Sequence, residues 1–102
     1  MNVIDVIDVL KNIGYPVAYQ KFNTPQEPPF ICVSEPYTAN AFADGKVNTV
    51  VQHIQIDLFE KIKSAEIEGK VEQALSSFAW NKEMEFDDAE DIYRVTYEVE
   101  VI

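Results

Sequence analysis

VNTVVQHIQIDLFE, residues 47–60, is the stretch of the chain that decides the fold. Apolar side chains occupy every second position from Val50 to Leu58, and Gln52 is the single polar exception among them. Successive residues of a strand point to opposite faces of a sheet, so this pattern indicates one buried face and one face that is largely exposed to water. We therefore predict a long strand near the centre of a sheet.

Two other segments have the apolar spacing of helices. Residues 2–13 place their apolar side chains on one helical face and their polar side chains on the other, and Gly14 can end that helix. Residues 64–78 carry an apolar stripe at spacings of three and four, with Ser64 as the expected N-cap. The two stripes consist of Val3, Val6, Ile7, Leu10 and Ile13, and of Ile67, Val71, Ala74, Leu75 and Phe78.

The remaining strands are predicted from shorter patterns. Residues 17–22 and 30–35 are expected to lie at or near a sheet edge, because prolines flank both segments and Pro36 is expected to end the second. Residues 83–86 are predicted to be a weak strand that leads into an acidic turn. Residues 92–102 alternate almost without fault and are predicted to be the last strand.

Residues 37–46 are predicted to be a polar loop rich in small side chains. Its length of about ten residues exceeds that of most strand connections, and long loops often carry function. The aromatic Phe42 within it can either fold back onto the core or protrude as an anchor for a partner, and both alternatives remain open.

Together these elements predict an α+β fold with a mixed, mainly antiparallel sheet of four to five strands and two helices packed on one face. The expected order is helix, strand, strand, long strand, helix, short strand, long strand. A length of 102 residues, 47% of them hydrophobic, suits one domain (residues 1–102) with a single core.

The charge balance limits the classes of partner. The chain has 18 acidic and 8 basic side chains, for a net charge of −10. Surfaces that bind phosphate backbones use clustered lysine and arginine, whereas Arg94 is the single arginine here. We therefore expect neither direct, sequence-specific nucleic-acid binding nor membrane binding. The single Cys32 excludes an internal disulfide and suits a reducing cytosol.

No residue pattern indicates catalysis, a metal or a cofactor. His53 and Asp57 share a strand face, but a transition-metal site normally needs more histidine or cysteine ligands. The acidic run of residues 83–91 lacks the glycine and the spacing of a calcium loop. Cys32 has no nearby histidine to activate its thiol. We therefore predict a protein that is not an enzyme and has no cofactor.

Four segments, together with the order of the elements, resemble tail-completion proteins of long-tailed phages and prophages of Gram-positive bacteria. These are head-to-tail joining proteins, similar in general plan to the lambda tail terminator. The resemblance covers nearly the whole chain. The segments are YPVAY at residues 15–19, PPFIC at 28–32, FADGKV at 42–47 and YRVTYEV at 93–99.

The resemblance implies a structural virion protein that caps the tail tube and helps to join the tail to the head. It implies a ring, with a hexamer as the expected size, and partners in the tail tube protein and the head connector protein. It places the protein at the tail-head junction of the virion, after assembly in the host cytoplasm. The matching loop residues, expected at a protein contact, are Phe42, Asp44, Gly45 and Lys46.

Two other functions fit the same composition. A small intracellular adaptor or regulatory domain that binds one protein partner would have a similar acidic balance, and would stay monomeric or bind that partner alone. A small enzyme would need a polar cleft, which the residues do not indicate.

Overall fold

Five strands and two helices make up the described part of the chain. The computed structural model describes residues 3–43 and 46–101, and the side-chain surroundings of residues 3–35 and 52–101. The elements are α1 (Val3–Lys11), β1 (Val17–Tyr19), β2 (Phe30–Ala43), β3 (Lys46–Glu60), α2 (Ala65–Ala74), β4 (Ala79–Asp87) and β5 (Ile92–Val101). The predicted order of helices and strands is confirmed.

The strands form one sheet in the order β1-β2-β3-β5-β4. β1 pairs with β2 in parallel, and the other neighbouring pairs are antiparallel. The predicted α+β fold with a mixed, mainly antiparallel sheet is therefore confirmed. β3 is the middle strand, as its long alternating pattern predicted, and β1 and β4 form the two edges.

The buried face of β3 has the residues that the alternation predicted. Ile54, Ile56 and Leu58 are fully or almost fully buried. Their neighbours Val95, Tyr97, Val99 and Val101 on β5 are buried on the same face of the sheet. The alternate apolar residues of β3 and β5 thus form one continuous apolar surface.

Both helices cover that surface. Val6 and Leu10 from α1 belong to the same buried cluster as Val71 and Leu75 from α2. The Ser64 hydroxyl accepts a hydrogen bond from the Ile67 backbone N–H at 3.2 Å, which confirms the predicted N-cap of α2. Neither helix of the described chain is long and apolar enough to cross a membrane.

The prediction that Pro36 ends the second strand is wrong, because β2 continues to Ala43. The pairing with β3 shifts register between Ser34 and Tyr37, so Pro36 lies at a bulge. A bulge leaves a residue out of the regular ladder, and the missing N–H of proline is therefore tolerated there.

The predicted loop at residues 37–46 is also wrong over residues 37–43 and at Lys46. Residues 37–43 complete β2, and Lys46 begins β3. The segment was predicted to be a loop because alanine and asparagine are uncommon in strands. Its pairing with the strongly β-forming start of β3 overrides that preference. Asp44 and Gly45 lie outside the described residues.

Two further boundaries differ from the prediction. β1 ends at Tyr19 rather than at residue 22, because Gln20 adopts a left-handed backbone with φ of +70°. β4 begins at Ala79 rather than at residue 83. Trp80 therefore lies in a strand beyond the helix, where its ring packs edge-on against Tyr97 at a centroid distance of 5.5 Å.

Candidate interaction surfaces

In the described sheet, the far end of the β2–β3 hairpin extends beyond the paired rows of the other strands. The pairing of β5 with β3 begins at the row of Gln52 and Val101, and β1 pairs with β2 only through residues 17–19. In the described part of the sheet, residues 39–43 and 46–51 therefore pair only with each other. We call these residues the hairpin arm.

The hairpin arm differs in composition from the rest of the chain. Its strands have the sequences ANAFA and KVNTVV, and Lys46 is the single charged residue in them. The whole chain, by contrast, is 25% charged and strongly acidic. A nearly uncharged two-stranded ribbon has backbone edges and apolar residues suited to contact with another protein.

Two of the predicted contact residues lie at the end of the hairpin arm. Phe42 pairs with Val47, and Ala43 pairs with Lys46, just past a register shift between Ala41 and Phe42. The backbone thus brings Phe42 and Lys46 together, as their common assignment requires. The other two predicted residues, Asp44 and Gly45, lie outside the described residues. The contact role of all four stays a prediction.

The open face of the sheet holds Asp57 in a structural hydrogen-bond network. Its carboxylate accepts hydrogen bonds from the Thr96 hydroxyl at 2.7 Å and from the Gln55 side-chain amide at 3.0 Å. His53, four residues earlier on β3, lies with Nδ1 4.0 Å from the Glu100 carboxylate. His53 and Asp57 therefore contact different neighbours and do not face a shared site. Within the described ranges, no group of three or more potential metal ligands forms.

The other sequence candidates for chemistry also have structural neighbours. Burial, and then the negative charge of Asp57, raises the pKa of the Cys32 thiol, which keeps it in its less reactive protonated form. Glu85 on β4 forms an ion pair with Arg94 at 2.8 Å. Asp87 accepts hydrogen bonds from the backbone N–H groups of Ala89 and Glu90, as the side chain of a turn residue does.

Two buried carboxylates were not predicted from the sequence. Glu60 at the end of β3 is 1% exposed, and Glu68 in α2 is 4% exposed. Lys82 on β4 lies 2.8 Å from the Glu68 carboxylate and 2.9 Å from that of Glu72, and Lys63 contacts Glu68 as well. The burial of Glu60 could have been predicted from its position, because it lies on the same face of β3 as Ile54, Ile56 and Leu58.

This buried cluster joins α2 to the sheet. Burial, reinforced by the adjacent Glu68 carboxylate, raises the pKa of Glu60 to about 7. Burial alone would raise the pKa of Glu68 too, but hydrogen bonds from Lys63 and Lys82 lower it below its usual range. The Tyr97 hydroxyl donates a 2.8 Å hydrogen bond to Glu72 and ties β5 to the same group. The pairing of the charges indicates a structural role.

Comparison with known proteins yields a likeness of fold. No protein-family model and no curated protein matches the sequence. Among solved structures, a chain in the virion of a native gene transfer agent (GTA) particle superimposes with a TM-score of 0.66 and 11% sequence identity. The match covers 97% of this chain and 90% of that chain. At this identity the likeness concerns the fold.

Proposed function

We propose that this protein is a structural component of a phage-like virion that caps the tail tube and joins it to the head as a ring. The observation that carries the proposal is that almost the whole fold is shared with a chain of a gene transfer agent virion. The resemblance of four sequence segments to tail-completion proteins supports the same assignment. No catalytic arrangement is needed for this function, since it depends on protein contacts alone.

The hairpin arm supports a role in assembly. A two-stranded ribbon is marginally stable by itself, and a third strand or a packing surface stabilises it. A neighbouring protein at the ring or tube contact would supply that surface. Because the hairpin arm lies at one end of the molecule, its contact with a different patch on the next copy would be head-to-tail, the type of interface that closes into rings.

The tail tube protein and the head connector protein are the proposed partners, with a hexamer as the proposed ring. Phe42, Asp44, Gly45 and Lys46 are proposed to lie at the contact. The acidic balance suits a ring through which DNA passes, because like charge discourages adhesion of the phosphate backbone.

The test mixes purified protein with tail tubes and examines the tube ends by electron microscopy. The wild-type protein should cap the ends. Phe42→Ala should cap them poorly, because removing an aromatic anchor at a contact commonly costs about 2 kcal/mol or more. Replacing residues 39–51 by an Asn-Gly turn should abolish capping, since it removes the hairpin arm.

Glu98→Ala is the matched control, because Glu98 is exposed on the open sheet face of the described body. It should cap as the wild type does. Wild-type protein that leaves tube ends bare would contradict the tail-completion function for that tube. Normal capping by the arm-shortened variant would leave the function standing and exclude the hairpin arm as its contact.

A further inference from the structure

A second candidate contact lies at the opposite end of the β2–β3 hairpin, around Phe59. Three adjoining concavities of about 390, 510 and 560 Å³ are all lined by this residue. Ligand-binding clefts commonly have volumes of about 300–1,000 Å³, and each concavity falls within that range. We call the three together the Phe59 trough.

The floor of the trough is aromatic. Phe30 and Phe59 are paired residues of β2 and β3, and their rings stack at a centroid distance of 4.7 Å. Phe22, from the segment between β1 and β2, packs edge-on against Phe30 at 5.7 Å. The three rings are only partly buried, because they lie on the side of the sheet that the helices leave open. Such an apolar floor on a wet face favours a ligand with an apolar side chain.

The two walls of the trough differ in charge. The wall formed by residues 20–28 is built largely of proline, glutamine, asparagine and threonine side chains. The opposite wall, at the β4–β5 turn, is acidic. It contributes Glu85, Asp87, Asp88 and Glu90.

The basic residues beside the acidic wall are fewer than its carboxylates. Arg94 is paired with Glu85 at 2.8 Å. Lys61 lines the trough and is paired with Asp91 at 3.2 Å. Negative charge from Asp87, Asp88 and Glu90 is therefore left over at this end, next to the aromatic floor. The trough combines an apolar anchor site with an adjacent site for positive charge.

We propose that the Phe59 trough binds an extended segment of a different protein, in which an aromatic or branched apolar side chain is followed by basic residues. The apolar side chain would lie on Phe30 and Phe59, and the basic residues would lie against the β4–β5 turn. A second copy of this chain is the weaker occupant, because each copy carries a net charge of −10. This proposal stands independently of the tail-capping function.

Fluorescence anisotropy with labelled peptides tests the proposal on the intact protein. The probe is a peptide of about ten residues, the length of an extended strand-like ligand, with adjacent leucine and phenylalanine followed by three lysines. The matched peptide has three glutamates in place of the lysines. We expect the basic peptide to bind at least about tenfold more tightly than the acidic one, and its binding to weaken as salt is added.

Variants locate the binding within the trough. Phe59→Ala should weaken binding of the basic peptide by about tenfold or more, as loss of a central aromatic contact does. The double variant Asp87→Asn and Glu90→Gln should weaken it about fivefold and flatten its salt dependence, because only charge is removed. Both positions are exposed, so this variant remains informative if Phe59→Ala fails to fold. Glu98→Gln, on the same face outside the trough, should bind as the wild type does.

Three results would overturn the proposal. The first is no binding of the basic peptide by the wild-type protein up to about 1 mM. The second is equal binding of the basic and acidic peptides. The third is tighter binding of a peptide with the sequence of residues 37–47 than of the basic peptide, which would identify a second copy of this chain as the occupant.

Discussion

The two parts of the central strand β3 differ in the number of strands that pair with them in the described sheet. Residues 52–60 pair with β2 on one side and β5 on the other, and the helices cover one of their faces. Residues 46–51 pair with β2 alone in the described sheet. The comparison shows that alternation identifies a strand without showing what covers it. In the described sheet, the number of partners is set by the rows at which β5 pairs with β3, from Gln52 to Glu60.

The largest effect should appear when the helix that covers residues 52–60 of β3 loses a core side chain. Leu75 in α2 is fully buried against the sheet, and Leu75→Ala should lower the free energy of unfolding by about 2–5 kcal/mol. Urea unfolding followed by circular dichroism measures the change. Glu98→Ala, an exposed change on β5, should stay within about 0.5 kcal/mol of the wild type. Equal losses in the two variants would contradict the assignment of the two sheet faces.

A smaller effect should follow from the carboxylate at the end of β3. Because the folded-state pKa of Glu60 is raised to about 7, the folded protein binds this proton more tightly than the unfolded chain does. Its contribution to stability is full below about pH 4.5 and is lost as the pH rises through about 7. Between pH 5 and pH 8 the free energy of unfolding should therefore fall by about 2 kcal/mol.

Glu60→Gln should remove most of this fall, because glutamine has nearly the same volume and does not titrate. The lowered pKa values of Glu68 and Glu72 give stability that is already complete above about pH 4.5. These two groups therefore do not change the free energy of unfolding between about pH 5 and pH 8. Unfolding midpoints of the wild type and the variant at pH 5, 6, 7 and 8, chosen to span the pKa of about 7, make the comparison. A wild-type protein whose stability rises across this range would contradict the burial of an uncharged Glu60.

The smallest effect should come from the hairpin arm, whose strands pair only with each other in the described sheet. Replacing residues 39–51 by an Asn-Gly turn joins Thr38 directly to its partner Gln52 through a two-residue hairpin loop. The free energy of unfolding should change by less than about 1 kcal/mol, since a two-stranded ribbon adds little stability. Urea unfolding checks this expectation. A loss as large as that of Leu75→Ala would mean that the hairpin arm packs onto the body of the same chain.

The strands and helices that form the core were predictable, because their apolar residues recur at the spacing of the element that each segment forms. The alternation of residues 54–58 and 92–101 and the apolar stripes of the two helices all correspond to one buried surface. β4 was less predictable, since an exposed edge strand has charged side chains where a covered strand has apolar ones. The sequence around Trp80 therefore showed neither a clear helical period nor a clear strand period.

The candidate contact regions were less predictable than the body. Residues 39–43 of the hairpin arm have a loop-like sequence of small residues after Pro36, and the pattern of residues 47–60 correctly predicted the strand that pairs with them. Phe22, Phe30 and Phe59 come from separate parts of the sequence, and only the β2–β3 register brings the last two together. A trough of this kind depends on strand pairing, which local patterns do not specify.

The continuity of β2 and β3 has a mechanical consequence. The hairpin arm and the body share the same two strands, so a pull on the arm along its length acts directly on the rows that join β3 to β5. Those nine paired rows run across the direction of the pull and bear it together in shear, whereas a sideways pull would open them one at a time. In single-molecule stretching, a handle at Phe42 and another at Lys70 should give one rupture at high force. A fold with this connection transmits axial tension from its tip into its core.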